Sequence, residues 1–198
     1  MNIIEKTKME ANNFTSTFES EPNYYDDYGF SKIPFKEFKN TMSDIMENSV
    51  WEEMAEENTE TIEEIYNNIK IPQRATQDSC GYDFFSTLTF SLLPGEEILV
   101  PTGIRAKIPQ NTVLMIFPRS GLGFKYRMQL NNTVGIIDSD YYYSDNFGHI
   151  MIKITTNKQI TIKRNSSFCQ GIILPFYKFS NEITPTKQRN GGFGSTSK

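Results

Sequence analysis

Residues 97–117 read EILVPTGIRAKIPQNTVLMIF, and their punctuation decides the fold class. Three short apolar runs, at 97–100, 103–107 and 112–117, are divided by Pro101 and Pro109. Proline has no amide hydrogen to give to a sheet ladder, so each one closes a run. The same texture continues outward in both directions. Further candidate strands lie at 81–85, 87–92, 133–137, 149–155, 159–162 and 170–177, broken by Pro94-Gly95, Asn157 and Asn165. Many short strands at close spacing, with no internal repeat, predict an all-β fold, a distorted jelly roll or β-barrel.

The texture changes upstream of Ile71-Pro72. From 41 to 69 the residues Met42, Ile45, Met46, Val50, Met54, Ile62, Ile65, Tyr66 and Ile69 recur mostly at three- and four-residue steps, the spacing of one helix face. The opposite face is acidic, with Glu52, Glu53, Glu56, Glu57, Glu60, Glu63 and Glu64. Asn58 to Thr61 interrupts the stripe, and Thr61 with Glu64 three residues on has the form of a capping box, which predicts two helices. Residues 1–40 keep no sustained period. The division expected is an acidic N-terminal extension over 1–69, irregular over 1–40 and α-helical over 41–69. A β-domain over 70–185 and a mobile glycine-rich tail over 186–198 follow it.

Charge divides the chain at the same place: residues 1–70 hold 16 Asp and Glu against 6 Lys and Arg, and residues 71–198 hold 8 against 14. A basic second half suits a polyanionic ligand, and an acidic first half would repel one. No apolar run approaches the roughly 18 residues of a membrane span, so no membrane contact is expected. The opening MNIIEKTKMEANNF lacks the apolar stretch of a secretory signal, which places the protein in the cytoplasm. Cys80 and Cys169 are the only cysteines, without metal-ligand spacing, and are expected to be small buried residues.

Chemistry enters at 118–123, PRSGLG. Arg119, Ser120 and Gly121 offer a guanidinium, a hydroxyl and an unencumbered amide, three donors suited to phosphate oxygens. Twelve residues beyond Ser120, Asn132 opens NTVGIIDSDY, whose apolar strand delivers Asp138 at its end, where a carboxylate can be aimed and used as a base. A turn-forming role for Asp138 and Asp140 is the plainer alternative on this segment alone. The tail RNGGFGSTSK combines mobile backbone, one aromatic ring and two hydroxyls, the composition of a lid.

Together these segments resemble the motif set of the trimeric dUTPase family, in its bacteriophage-like branch. The five motifs, in order, are SCGYDFFS at 79–86, PRSGLG at 118–123, NTVGIIDSDY at 132–141, SFCQGII at 167–173 and GGFGST at 191–196. The resemblance covers residues 71–198 and does not extend to 1–69. It implies Mg²⁺-dependent hydrolysis of dUTP to dUMP and pyrophosphate, with Asp138 activating the water that attacks the α-phosphorus. Asn132, the backbone of Gly135, Ile136 and Ile137, and Met151 would read the uracil edge, and Tyr141 would pack on the deoxyribose and exclude a 2′-hydroxyl. Ser120, Gly121 and Gln170 would bind phosphates, with Arg119 holding that loop and the Asp138 carboxylate. Asp83 would hold a water of the Mg²⁺ ion, a second-shell role.

The family also implies a homotrimer with shared active sites. In it Phe193 would close over the uracil of a neighbouring subunit, Gly194 would lend mobility, and Ser195 and Thr196 would cover the phosphates. Arg189 stands one residue nearer the first glycine than the family's lid arginine, and would reach the γ-phosphate. The partner is dUTP, without direct contact to nucleic acid, and a protein partner is expected, if at all, at the extension. The loop YYSDNFGH at 142–149 replaces a tighter turn, and its His149 is expected to have a solvent or loop role. Two alternatives share the resemblance: a dCTP deaminase of the same superfamily, and a dUTPase-like regulatory binding protein.

Overall fold

A computed structural model describes residues 27–46, 60–183 and 186. Its helices are α1 (Phe35–Met46), α2 (Ile62–Asn67) and α3 (Ser120–Tyr126), with a 3-10 turn at Ser139–Tyr143. Its strands are β1 (Gly29–Lys32), β2 (Gln73–Arg74), β3 (Tyr82–Phe85), β4 (Phe90–Leu92), β5 (Glu97–Pro101) and β6 (Ile104–Lys107). They continue as β7 (Thr112–Pro118), β8 (Gln129–Leu130), β9 (Gly135–Asp138), β10 (Met151–Thr155), β11 (Ile160–Ile162) and β12 (Ser167–Pro175). Each of the nine strands expected downstream of Pro72 is present, with ends shifted by up to three residues.

Four antiparallel sheets wrap one core: β2-β3-β12-β7-β9, β5-β10-β8, β11-β4 and β1-β6. This is the jelly-roll-like, mostly β architecture that the sequence predicts. Alternation places the core residues: Ile98 and Val100 of β5, Leu114 and Ile116 of β7, and Ile152 and Ile154 of β10 are buried, while Glu97 and Lys153 face out. The breaks supply what regular ladders cannot. Thr87 Oγ1 donates to Pro101 O at 2.6 Å, and Thr102 Oγ1 to Ile150 O at 2.5 Å, so the buried hydroxyls pay for their desolvation with backbone bonds.

The N-terminal extension departs from its expected form. Within the span read as irregular, β1 pairs with β6 from Gly29↔Lys107 to Lys32↔Ile104, and α1 begins at Phe35 rather than near residue 41. The strand was missed because four residues are too few for a period to register. The helix start was missed because its signal is Pro34, whose carbonyl accepts from the amides of Glu37 and Phe38 at 3.1 Å. The acidic residues Glu52, Glu53, Glu56 and Glu57, with the helical stripe around them, lie outside the described residues, as do residues 1–26.

Helix α2 starts where the capping box places it. Thr61 N–H donates to Glu64 Oε2 at 2.8 Å, and Glu64 N–H to Thr61 Oγ1 at 3.2 Å. Those bonds, with the Arg164 charge adding to them, hold the Glu64 carboxyl below the usual range. Ile33, Phe38, Met42, Ile65 and Ile69 are all buried in the same core as the sheets. At roughly 2 kcal/mol for each side chain fully removed from water, these five are a substantial part of that core. Tyr66 locks the layer: its hydroxyl donates to Ile33 O at 2.7 Å, and Lys32 Nζ donates to Tyr66 O at 2.8 Å.

Two single-residue expectations are corrected. Cys80 is exposed because it sits in the turn before β3, whereas Cys169 is buried, which pushes its thiol pKa up. His149 is 1% exposed, a core residue rather than a solvent-facing one. Its loop is tied inward by Ser144 and Asn146, a network of side-chain hydrogen bonds that leaves no periodic trace in sequence.

Candidate active site

β7 carries the site, because its two ends face two different groups of residues. Along its length Pro118 pairs with Cys169, Phe117 with Gln170 and Val113 with Asp138. Gln170 also pairs with Asp83 across β3. One end therefore gathers Arg119, Ser120, Gly121, Gln170 and Asp83, and the other carries Asp138.

At the first end the strand runs into α3. Arg119 is the extended residue before that helix, and the amides of Leu122 and Gly123 bond back to its carbonyl at 3.0 Å. Ser120 and Gly121 occupy the first turn and are exposed, with amides directed out of the helix start. Arg119 Nε lies 3.2 Å from Asp83 Oδ1, and its terminal nitrogen donates to Ser167 Oγ, which fixes the guanidinium against β3 and β12. Gln170 Nε2 donates to Pro118 O at 3.3 Å. Beside this cluster Arg119, Ser120, Phe124, Arg127 and Gln129 line an open groove of about 420 Å³. Ser167 and Arg127 were not singled out from sequence; Ser167 opens the SFCQGII segment and was legible as a hydroxyl beside a phosphate-type loop.

Alongside β9 lies a pocket of about 430 Å³ with mostly apolar walls, lined by Asn132, Gly135, Ile136, Ile137, Tyr141 and Met151 among others. Thus Asn132, Gly135, Ile136, Ile137 and Met151, expected at the uracil edge, and Tyr141, expected at the sugar, line one space. Gly135 is needed there for close approach, since a Cβ would stand 3.0 Å from Ile116 Cβ and 3.3 Å from its Cγ1. Tyr141 is buried, with its hydroxyl donating to His149 O at 2.8 Å and accepting from Asn146 Nδ2 at 2.9 Å. Asn131 and Lys153 also line the pocket and were missed. Lys153 pairs with Glu97 at 2.5 Å, and that bond holds the Glu97 carboxyl below its usual range. Its place two residues beyond Met151 on one strand was the available signal.

Asp138 follows the pocket-lining Gly135–Ile137 stretch and leads into the 3-10 turn. Arg119 stands six residues beyond Val113, so about 20 Å of strand separates it from Asp138 in the same chain. Within one chain the two therefore stand too far apart for Arg119 to hold the Asp138 carboxylate. Among the described residues no three His, Cys, Asp or Glu side chains converge as a metal cage. Arg189, Phe193, Gly194, Ser195 and Thr196 lie outside the described residues.

Comparison with known proteins meets this geometry directly: the sequence profile of the dUTPase family matches residues 67–197. The chain belongs to the dUTPase family. The deoxyuridine 5′-triphosphate nucleotidohydrolase of Lactococcus lactis subsp. lactis is 39% identical over 132 residues, spanning 65% of this chain and 88% of that protein. A crystal structure of the dUTPase from Streptococcus mutans is 32% identical with a TM-score of 0.51, covering 56% of this chain and 89% of that one. A dUTPase from phage phi11 of S. aureus shares the fold at 22% identity and a TM-score of 0.51, over 59% of this chain and 90% of that one; its structure describes coordination of a structural Mg(II) ion. The family match begins at residue 67, so β1, α1 and nearly all of α2 are additions to the dUTPase domain. Among the described residues no helix is long and apolar enough to cross a membrane.

Proposed function

We propose that this chain hydrolyses dUTP to dUMP and pyrophosphate, with Asp138 as the general base. The observation that carries the reading is the pocket walled by Gly135, Ile136, Ile137, Tyr141 and Met151, with Asp138 at the end of the strand that lines it. Backbone amides and carbonyls along such a strand present a fixed order of donors and acceptors to a pyrimidine edge. A base with the reversed order leaves buried partners unpaired, and a methyl group on the ring meets the wall. Tyr141, fixed through its hydroxyl, presents only its ring to the sugar and leaves no partner for a 2′-hydroxyl.

The polar end of β7 fits the phosphates. Ser120, Gly121 and Gln170 supply neutral donors, and Arg119, held by Asp83 and Ser167, supplies a fixed positive charge. Because that end lies about 20 Å from Asp138 within one chain, a complete site needs the two ends to come from different copies, which supports a C3 homotrimer. Arg189, Phe193, Gly194, Ser195 and Thr196 would close the site from a third copy. The chain's action on a nucleotide pool agrees with a cytoplasmic location.

Mg²⁺ fits the donor set: a single carboxylate beside the phosphate loop, Asp83, suits an ion that rests mainly on phosphate oxygens and water. Bound there, Mg²⁺ would neutralise triphosphate charge. The protein's own part is to hold the pyrimidine and sugar in the pocket, to place the phosphates on the Ser120 loop, and to take a proton from water at the Asp138 carboxylate.

Incubation with dUTP, dCTP and dTTP plus Mg²⁺, reading pyrophosphate and ammonia, tests the proposal. Pyrophosphate from dUTP alone is expected; ammonia from dCTP, or no turnover of dUTP, would reject it.

A further inference from the structure

The segment outside the family match reaches the nucleotide pocket through two residues. Ile33 N–H donates to Gly103 O at 3.0 Å, and Gly103 N–H donates to His149 Nε2 at 3.0 Å, so one residue of the domain is clamped between the extension and His149. Gly103 adopts φ +69°, and a side chain there would run into Ile69 and Phe38. Phe38, wholly buried on α1, packs its ring 6.4 Å from the His149 ring at 56°. From the other side of His149, its carbonyl receives the Tyr141 hydroxyl, and the next residues, Ile150 to Ile152, are pocket wall. The amide of Ile150 also bonds to Ile104 O at 2.9 Å, in the strand that β1 pairs with.

We infer that the extension is a positioning element for the sugar side of the pocket, acting from Phe38 through His149 to Tyr141. Phe38 and His149 are positioning residues, since they act through Tyr141 and line no part of the pocket themselves. An interior packed at crystal-like density transmits a displaced ring to its neighbours rather than absorbing it, so a cavity at Phe38 loosens His149 and then the Tyr141 hydroxyl bond. Substrate discrimination at the sugar, which depends on where the Tyr141 ring stands, follows. This inference rests on the dUTPase reading above.

The test compares Phe38→Ala, Phe38→Leu and Met42→Ala in the full-length protein. Met42 is equally buried, one turn further along the same helix, and serves as the packing control. Phe38→Ala is expected to lower the ratio of kcat/KM for dUTP over UTP by roughly tenfold, chiefly through KM, the scale of a sub-ångström misplacement. Phe38→Leu should recover most of the ratio. Met42→Ala should lower the melting temperature and leave the ratio unchanged.

Equal losses of melting temperature in both alanine variants, with no change of selectivity in either, would overturn the inference. Amide hydrogen exchange over residues 141–150 gives a readout that needs no substrate: faster exchange in Phe38→Ala than in Met42→Ala is expected. Wild-type protein inert toward dUTP would sink the functional reading and the sugar-side role built on it, whereas unchanged exchange at 141–150 in Phe38→Ala would sink the coupling from the extension alone.

Discussion

The Pro118 end of β7 and the pocket along β9 are built on opposite principles. At the Pro118 end the working groups are side chains: Arg119 fixed by the Asp83 carboxylate and Ser167, the Ser120 hydroxyl, and the Gln170 amide on an open, polar surface. In the pocket along β9 the lining is largely backbone and packing: Gly135 pressed on Ile116, and Tyr141 immobilised by the loop that ends at His149. Charge is suited to holding phosphates, whose recognition tolerates water, and packing is suited to selecting a base and a sugar by shape. The distance between Arg119 and Asp138 is what leads to the proposal that a complete site draws on two copies.

The largest effect expected is at the junction of shape and chemistry. Asp138→Asn keeps the strand geometry and removes the base, so turnover of dUTP should fall roughly 10³-fold while nucleotide affinity measured by titration stays near wild type. Near-full activity in that variant would rule out Asp138 as the base. Next comes the division itself. Ser120→Ala weakens the phosphate end, and when this variant and Asp138→Asn are unfolded and refolded together, mixed assemblies should contain sites with both intact halves. Activity above that of either variant refolded alone is expected. No recovery would break the claim that the two ends of β7 serve different sites.

The third effect separates the buried pocket end by pH. Burial lowers the His149 pKa from 6.5 to about 4, so between those values the unfolded chain binds a proton that the native chain does not. Stability should therefore be full above pH 6.5 and fall as pH drops toward 4, by about 3 kcal/mol if no other group compensates. Chemical denaturation across that window, compared with His149→Gln, should show the slope flatten in the variant; parallel curves would mean that His149 is not the group.

The sequence spoke more clearly about polar chemistry than about packing, for physical reasons. Arg119, Ser120 and Asp138 announce themselves because charged and hydroxyl groups on turns and strand ends carry their chemistry in their identity. His149 did not, because its role depends on Phe38 and Gly103, which are distant in the chain and meet it only in the fold. The strands after Pro72 were legible from alternation and proline breaks, and α2 from its capping box. β1 is four residues long and gains its place only by pairing with β6, so nothing local marked it. The expected hold of Arg119 on Asp138 came from the family resemblance, which already divides the motifs among subunits, and the distance between the two within one chain agrees with that division.

The smallest effect sharpens the contrast by removing one hydroxyl from each end. The Ser120 side chain is exposed, so Ser120→Ala should leave the denaturation midpoint unchanged and alter only the rate. The Tyr141 hydroxyl is buried between His149 O and Asn146 Nδ2, and Tyr141→Phe deletes both bonds while keeping the ring. The loss should be about 1 kcal/mol of stability, the usual net worth of a buried hydrogen bond. Asn146 Nδ2, already 3.4 Å from His149 O, can recover part of it by closing on that carbonyl. Measured side by side, the two variants should thus move different observables: stability for Tyr141→Phe with kcat near wild type, and rate for Ser120→Ala with stability untouched. If Tyr141→Phe costs no stability, the loop at 142–149 does not anchor the pocket, and a pocket that reads as built from packing would depend on something other than the Tyr141 bond.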